Sequence, residues 1–515
     1  MNLSLDLLRR SSTIVCLTAI ALVLSACGGG GAGSDNGSGK TAATIGTTVQ
    51  LDSLDPLSST GGSYTYQQLV HEPLIGFDPE TLSQDDSGLA VKYGFREGDP
   101  LKFDITLREG VTFSDGEAVD AEAVKASLLR YVAKGSLYGL KGIVGSVDVA
   151  SPTELTINLT REFAPLPERL SLDGGLIVAP ATIKEFPDAD ALTKAVGAGP
   201  YVLEQNRPGV SATFAPNPKY WNKKDGAKLK KLTVQYFADS AAMMNALRTD
   251  QIDGATYVPS SDVAGFKGKD DLTVYNRQSV GLDFVYLNWD KPALKDPRVR
   301  EALSYALDRK TLNDVMTDGY GTPAAQVVPS DSPFYVDDVT TFDHDPAKAE
   351  QLLSEAGVKD KVNLDCVWYA GTGWERLLPV VIDQLSKVGV TLKARQLSVA
   401  EAIPAYFKPD GADCLLGGTS GTFGVYGALA QNSDSTSFFT AASSDSGVDS
   451  ALAAFETAYT PEARNAASKG YYEAMLTAAP MILVDNRAKI AVMDKGLKGY
   501  AHSPLSSLVL RHLSW

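Results

Sequence analysis

Residues 283–309, DFVYLNWDKPALKDPRVREALSYALDR, limit the possible folds more than any other stretch of the chain. Apolar and aromatic residues alternate with smaller or polar ones in DFVYLNW, which is typical of a buried strand. Asp296 and Pro297 then suit the N-cap and the first position of a helix. On that helix, Val299, Leu303, Ala306 and Leu307 share one face, and Arg298, Arg300 and Glu301 lie nearer the opposite one. A strand that leads into an amphipathic helix predicts a mixed α/β domain, but it does not indicate a function.

The same alternation of strand and helix patterns continues along the chain. Asp120 and Asp345 are predicted N-caps, and Gly357 suits the left-handed position after a helix. Predicted strands cover 44–50, 101–107, 231–237, 362–369, 390–396, 414–418 and 481–484. Predicted helices cover 63–74, a segment that begins at Asp120, 240–254, 345–357, 374–388 and 461–479. The predicted class is therefore α/β with mixed sheets.

Composition excludes several classes of protein. The chain has 515 residues, which is enough for about three domains. Its formal net charge of −15 argues against a nucleic-acid partner, because such a partner requires a basic face. Four cysteines in so long a chain exclude a small disulfide-stabilised scaffold.

The N-terminus has the three parts of a secretory signal over residues 1–26. Arg9 and Arg10 form the positive part, and residues 14–24 form an apolar part that is too short to span a bilayer. The run Leu-Ser-Ala-Cys that ends at Cys27 resembles the bacterial lipobox, in which the cysteine thiol carries a diacylglyceryl lipid. Residues 28–40, GGGGAGSDNGSGK, are then a flexible tether. An ordinary signal peptide with a chance cysteine is the alternative.

Nine short motifs follow one another in an order that resembles a known family. They are SLDP (53–56), HEPLIGFDP (71–79), FDITLREGVTFSDGEAVDAEAVKASLLR (103–130), GAGPY (197–201), NPKYW (217–221), AMMNALRTDQIDG (242–254), YLNWDKPALKDPRVREALSYALDR (286–309), GYGTPA (319–324) and DPAKAEQLLSEAG (345–357). In this order they resemble the large extracytoplasmic solute-binding proteins of ABC importers, the peptide, nickel and opine type called family 5.

The resemblance implies a two-lobed, periplasmic-binding-protein-like fold of type II, in the large peptide-binding class. Lobe I would comprise residues 41–278 and 487–515, with an inserted subdomain at 76–175, and lobe II would comprise 279–486. The chain would cross between the lobes near 279–282 and near 484–487. Two crossings form a hinge, so closure by hinge bending is the expected motion.

Catalytic and metal-binding signatures are missing from the sequence. There is no H-E-x-x-H, G-x-S-x-G or P-loop motif, so we expect neither an enzyme nor a cofactor. The four histidines are scattered singly without ligand spacing, which disfavours a metal site and the nickel branch of the family; they are His71, His344, His502 and His512. Cys366 and Cys414 lie on two predicted strands and either form a disulfide or remain two buried thiols.

Under the resemblance, the ligand lies between the lobes, on loops at strand ends. Tyrosine and tryptophan offer wide, rigid contact surfaces with a polar tip, and glycine-rich loops allow a close approach of the backbone. The predicted ligand contacts are the SLDP loop together with Tyr64, Tyr66, Trp289, Tyr369, Trp374, Thr419, Ser420 and Tyr426. For each of these residues, core packing is the alternative.

Two loops depart from the pattern of the peptide-binding members. Those members carry an aspartate in a G-W-x-x-D-x-x-D-P loop that pairs with the peptide ammonium, whereas residues 417–427 read GGTSGTFGVYG. Dipeptide-type members also carry an arginine that holds the peptide carboxylate, and it lies ahead of the helix that is predicted here to begin at Trp374. Here that loop reads AGTGWER, and its nearest cation, Arg376, is predicted to lie on the helix. A longer peptide held by its backbone, or an uncharged or modified solute, therefore fits better than a short zwitterionic peptide.

The leading hypothesis is a solute-binding subunit, anchored by lipid on the outer face of the cytoplasmic membrane and monomeric. It would deliver a peptide or peptide-like solute to an ABC permease and its ATPase subunits, and it would bind no nucleic acid. One alternative is a surface receptor lipoprotein that keeps the fold without transport. Another is a secreted hydrolase on the same scaffold.

Overall fold

A mixed β-sheet of eleven strands runs through the protein in its computed structural model. The structure describes residues 39–58, 61–81, 83–135, 140–188, 195–332, 334–339, 342–369, 372–408, 410–419, 421, 424–433, 446–503, 505 and 508–515. Its strands are β1 Ala42–Thr47, β2 Gly76–Phe77, β3 Gln84–Asp85, β4 Ala90–Arg96, β5 Asp99–Leu107, β6 Val144–Ser151, β7 Glu154–Leu159, β8 Tyr201–Arg207, β9 Ser211–Pro216, β10 Lys231–Tyr236, β11 Gly254–Thr256, β12 Leu272–Leu287, β13 Thr322–Pro323, β14 Val362–Tyr369, β15 Val390–Leu397, β16 Cys414–Gly418, β17 Met481–Asp494, β18 Ala501–His502 and β19 Leu508–Val509.

Several helices begin at a side chain that accepts one of their free N–H groups. The side chains of Asp120, Asp296 and Asp345 each accept a backbone N–H of the first turn, as the sequence predicts. The helices are α1 Gly61–Val70, α2 Ala121–Lys134, α3 Leu166–Ser171, α4 Pro180–Glu185, α5 Ser240–Arg248, α6 Ser260–Val263, α7 Pro297–Ala306, α8 Arg309–Thr317, α9 Pro346–Glu355, α10 Trp374–Lys387, α11 Val399–Phe407, α12 Gly424–Ser433, α13 Ser446–Glu456 and α14 Pro461–Ala478.

The large sheet consists of two half-sheets joined by two long strands. Its order is β15-β14-β16-β12-β17-β11-β1-β10-β9-β8, with β13 paired to β17. We call β8–β11 with β1 the first half-sheet, and β14–β16 the second half-sheet. Within them β1 is parallel to β10 and β11, and β14 is parallel to β15 and β16. The antiparallel pair β12 and β17 contacts both halves, so the crossing segments predicted at 279–282 and 484–487 lie inside two continuous strands.

A separate antiparallel sheet, with the order β4-β5-β7-β6, packs with α2 and lies within residues 76–175. Its buried residues, such as Phe103 and Ile157, belong to one apolar core with Phe284 of β12 and Tyr471 of α14. A second core lies between the second half-sheet and α7 to α10, and two further cores cover the faces of the first half-sheet. The fold is therefore α/β, with four apolar cores around the sheets.

Three sequence predictions need correction. The helix predicted after Asp296 ends at Ala306, because Asp308 caps a second helix that begins at Arg309. Arg300 is buried rather than exposed, since its guanidinium donates to the carbonyl oxygens of Ala478 and Leu294. The helix predicted over 240–254 ends at Arg248. In each case a tertiary contact or a competing cap changes a local pattern.

Cys366 and Cys414 form a disulfide, which resolves the alternative that the sequence left open. They are register partners on the parallel strands β14 and β16, with their Cα atoms 4.6 Å apart. Such a bond fits an oxidising compartment. Among the residues that the structure describes, no helix is both long and apolar enough to cross a membrane.

Candidate functional site

The carboxyl ends of parallel strands from both half-sheets meet beside the two long strands. In the second half-sheet, β16 ends at Gly418, which pairs with Asp283 of β12. In the first half-sheet, β11 ends at Thr256, next to Tyr257. The backbone N–H of Val258 then donates to the carbonyl oxygen of Ile490 in β17. Ligands of open α/β sheets bind outside the carboxyl ends of the strands. The segment 485–490 of β17 is therefore the floor of the candidate site.

The two long strands are irregular at this point. Their pairing shifts register between Gln278 and Leu282, and again between Asp283 and Phe284. The hydroxyl of Ser279 closes the irregular part by donating to the carbonyl of Arg487, at 3.0 Å. A bulge of this kind bends a strand and is frequent beside functional sites.

A cluster of charged side chains accompanies the bulge. Arg487 donates to both carboxylate oxygens of Asp283, with Nε–Oδ2 and Nη2–Oδ1 distances of 2.8 and 2.5 Å. Asp485 is the register partner of Asp283 and is fully buried, and no hydrogen-bond donor of the described residues reaches either of its carboxylate oxygens. Burial, followed by the neighbouring charge of Asp283, raises the pKa of Asp485 well above its usual range. The site therefore contains two acids beside one guanidinium, and the protonated form of Asp485 is favoured by its surroundings.

Tyr369 and Thr419 form the wall on the side of the second half-sheet. The Tyr369 hydroxyl donates to the carbonyl of Gly418 at 2.8 Å and accepts the N–H of the same residue at 3.0 Å. Thr419 is tied to β12, since its N–H donates to Leu282 at 2.8 Å and its hydroxyl accepts the Leu282 N–H. A Cβ at Gly418 would collide with the Arg487 guanidinium, so the glycine allows the close approach of the two elements.

The opposite wall belongs to the first half-sheet and α1. Tyr66 donates to the carbonyl of Val49, in the loop between β1 and the SLDP motif, at 2.7 Å. Tyr64 points into the core and contacts the carbonyl of Ser171. Burial raises the pKa of both phenols. Tyr66 therefore positions the loop at the site, and Tyr64 packs behind it.

Tyr426 lies where α12 meets the segment that enters α3. Its hydroxyl donates to Glu456 Oε1 at 2.5 Å, and its ring meets Phe163 edge-on, with 4.9 Å between the centroids. Glu168 of α3 accepts the N–H groups of Val425 and Tyr426 at the start of α12, at 2.5 and 3.3 Å. Tyr426 thus contributes to a contact between the inserted region and the helices that follow the second half-sheet.

Trp289 lies away from this convergence, and Trp374 is buried behind it. Trp289 follows Leu287, which pairs with Cys414 at the opposite end of β16, and its ring lies 4.8 Å from the Arg300 guanidinium. Trp374 is fully buried, and its Nε1 donates to the carbonyl of Gly417 at 2.9 Å. Trp374 therefore supports the loop from beneath. Ser420 and Cys27 lie outside the described residues.

Arg376 occupies the first turn of α10, as the sequence predicts, and pairs with Asp318 at 3.1 Å. His71 is buried, and its Nε2 lies 2.9 Å from the carbonyl of Leu54, so it fixes the SLDP loop. Within the described part of the chain, no group of three or more histidine, cysteine, aspartate or glutamate side chains could hold a metal ion.

The sequence predictions missed the charged residues of β17. The segment MILVDNRAKIAVM places Asp485, Arg487 and Lys489 at alternate positions of an otherwise apolar strand. The signal was available in the sequence, because these charges recur every second residue within a largely apolar strand. Buried charges require partners or a function, so this pattern indicates a candidate site.

Comparison with known proteins gives consistent results. The sequence profile described as "Bacterial extracellular solute-binding proteins, family 5 Middle" matches residues 87–448. The glutathione-binding protein GsiB of Salmonella paratyphi A is 28% identical over 435 residues, which cover 81% of this chain and 84% of that protein. The probable D,D-dipeptide-binding periplasmic protein DdpA of Escherichia coli is 25% identical over 365 residues, which cover 69% and 70%.

Solved structures share the fold at lower identity. NikA from Brucella suis, in complex with Fe(III)-EDTA, superposes with a TM-score of 0.82 at 20% identity, covering 92% of this chain and 99% of that one. A dipeptide-binding protein from Pseudoalteromonas sp. SM9913, in complex with Met-Leu, gives a TM-score of 0.77 at 17% identity, with coverages of 92% and 99%. Identities this low support the two-lobed fold and carry no information about the ligand.

Proposed function

The chain belongs to family 5 of the bacterial extracellular solute-binding proteins, and we propose that it captures a peptide-like solute between two hinged lobes. The members of this family are the substrate-binding proteins of transporters, and the chain is accordingly the solute-binding subunit of an ABC importer. The observation that carries the proposal is the meeting of strand carboxyl ends from both half-sheets at residues 485–490.

The lobes of the proposal are residues 41–278 with 487–515, and residues 279–486. The register shift between Gln278 and Leu282 supports a hinge there, because an irregular ladder bends at a lower cost than a regular one. Closure would bring the SLDP loop toward Tyr369 and Thr419. The proposed ligand contacts are this loop, Tyr369, Thr419 and Tyr426, with Tyr66 positioning the loop; Trp289 and Trp374 are left out because of their positions.

Peptide-like chemistry is favoured by the relatives that are named for glutathione and for a D,D-dipeptide. The aspartate and arginine anchors of dipeptide-type members are missing from the two loops, so recognition would rest on the backbone of the loops and on the charges of β17. We further propose that the protein is a monomer without enzymatic activity, held at the outer membrane face by lipid on Cys27. Its partners would be the permease and ATPase subunits of the importer.

Native mass spectrometry of the gently purified protein tests the proposal directly. We expect a co-purified solute of peptide-like mass. The same solute should raise the melting temperature, since a ligand at a hundredfold excess over Kd stabilises the folded state by about 2.7 kcal/mol. If glutathione, di- and tripeptides and the co-purified material all leave the melting temperature unchanged, the proposal is wrong.

A matched pair of variants locates the site. Tyr369→Phe removes the hydroxyl that bonds Gly418 in both directions, and we expect about tenfold weaker solute binding. Tyr305→Phe changes a tyrosine that packs against Phe342, on the far side of the second half-sheet, and should leave the affinity unchanged. Equal affinities of the two variants would move the site elsewhere.

A further inference from the structure

The charged side chains of β17 differ in whether an opposite charge lies in direct contact with them. Asp485, Arg487 and Lys489 alternate along the strand. The Arg487 guanidinium donates from Nε and Nη2 to the two Asp283 carboxylate oxygens, so the charges of that pair offset each other. Lys489 is the next cation along the strand.

Within the described part of the chain, Lys489 forms no direct ion pair, and the charge of Asp283 acts on it only from a distance. Its amino group lies 5.7 Å from the centre of the Tyr257 ring, and no carboxylate of the described residues lies within 4.0 Å of it. Its register partner on β12 is Arg277, whose guanidinium already bonds the carbonyl of Glu80 and lies 3.6 Å from Asp331. The lysine is therefore a half-buried cation among cations and aromatic surface.

The surroundings of Lys489 are held in an unusual geometry. Tyr257 has a backbone φ of 54°, a left-handed conformation that bulky side chains rarely adopt. It stands at the carboxyl end of β11, where the N–H of Val258 donates to Ile490 at 3.0 Å. Backbone strain of this kind collects at ligand sites.

The electrostatics agree with the geometry. Burial, followed by the charge of Arg487, lowers the pKa of Lys489 to about 8, and Asp283 offsets only part of that shift. A carboxylate beside the amino group would restore the charged form, because an opposite charge at close range favours ionisation.

We propose that Lys489 binds a carboxylate group of the transported solute. This inference rests on the proposed function and narrows it to solutes that carry a free carboxylate. The loop before α10 carries no cation of its own, because Arg376 lies on the helix and pairs with Asp318. Lys489 would supply the missing cation from strand β17.

A carboxylate-amide pair of probes tests the inference. Wild-type protein should bind glutathione at least tenfold more tightly than it binds its glycine amide. Lys489→Met should lose that preference, and Lys489→Arg should keep most of it. Lys310→Met, at an exposed lysine that pairs with Asp314, is the matched control and should behave as wild type. An unchanged preference in Lys489→Met overturns the inference while leaving solute binding intact.

A second measurement does not depend on the natural solute. After reductive ¹³C-methylation of the lysines, the Lys489 signal is assigned by its loss in Lys489→Met. Sodium acetate should raise the pKa of this signal relative to sodium chloride of equal ionic strength, and acetamide should not. An acetate effect without any binding of peptides contradicts the peptide-like solute and supports the carboxylate site. No acetate effect on Lys489 contradicts the carboxylate site itself.

Discussion

Glu72 and Asp485 are two buried acids with opposite surroundings. Glu72 is 2% exposed, and both of its oxygens are engaged, by Arg511 at 2.6 Å and by the Tyr220 hydroxyl at 3.3 Å. Asp485 is also buried, but its neighbour is another acid, Asp283. The nearby Arg487 guanidinium donates to Asp283 and not to Asp485. Burial raises the pKa of both groups. Arg511 opposes the shift of Glu72 by its charge and by a direct hydrogen bond, whereas Arg487 opposes that of Asp485 by its charge alone.

The difference separates two roles for buried charge. Glu72 follows α1 and Arg511 lies near the C-terminus, so their pair fastens distant segments within the first proposed lobe. Asp485 lies at the register shift of the crossing strands, where a matched ion pair would hold one geometry firmly. A complete pair stabilises a fixed structure. An incomplete cluster leaves the crossing easier to deform, in agreement with a hinge.

Breaking the complete pair should have the largest effect. Arg511→Met leaves Glu72 buried without a cation, and we expect the free energy of unfolding to fall by about 3 to 5 kcal/mol in urea titrations. Arg96→Met is the matched control. It removes one partner of an exposed pair, Arg96 with Asp104, and should change the free energy of unfolding far less than Arg511→Met does. Equal losses would show that burial does not distinguish the two pairs.

Neutralising Asp485, the acid that no hydrogen-bond donor of the described residues reaches, should raise the free energy of unfolding. Asp485→Asn replaces an acid whose charged form is disfavoured by burial and by Asp283 with a neutral amide that can donate to Asp283. Because the folded state of the wild type binds the Asp485 proton at a higher pH than the unfolded state does, its stability should fall as the pH rises from about 4 toward the raised pKa. The variant should lack that fall and be more stable by about 1 to 3 kcal/mol at pH 7.

Urea titrations of wild type and Asp485→Asn at several pH values between 4 and 8 measure this difference. Asp365→Asn, at an exposed acid of β14, is the control and should follow the wild-type curve. Parallel curves for wild type and Asp485→Asn would contradict the raised pKa of Asp485.

Glu168 is an intermediate case and should show the smallest effect. Its carboxylate is met by the N–H groups of Val425 and Tyr426, so it is partnered without a direct ion pair. Glu168→Ala removes this cap of α12 and should cost about 1 kcal/mol. Glu168→Gln keeps an accepting oxygen and should cost less. Chemical unfolding at pH 7 measures both, and a loss in Glu168→Ala as large as that in Arg511→Met would place Glu168 with the complete pairs.

Local features were predictable because their partners are close along the chain. The caps at Asp120, Asp296 and Asp345 depend on N–H groups two or three residues away, and each of them forms. The left-handed Gly357 and the bounds of β14 and β16 also follow from local pattern. The ordered motifs identified the family, which the sequence profile confirms.

The candidate site was predictable only in part. Tyr369 and Thr419 were predicted as ligand contacts from their positions at strand ends, and both lie beside the candidate site; their contact with a ligand stays a prediction. Trp289 was nominated from the same strand pattern, yet it follows the end of β12 that pairs with Cys414 and so lies away from the convergence. The sequence pattern of a strand shows which residues alternate between its two faces. It does not show which end of the strand lies at the site.

The α/β class, several helix starts and the family could be predicted from the amino-acid sequence, since these depend on contacts within a few residues or on the order of motifs. The disulfide, the burial of Arg300 and Trp374, and the clustering of Asp283 with Asp485 and Arg487 became evident from the three-dimensional structure. Asp283 and Arg487 are 204 residues apart in the chain. Register between strands so distant is set by the packing of the whole sheet, which no local pattern encodes.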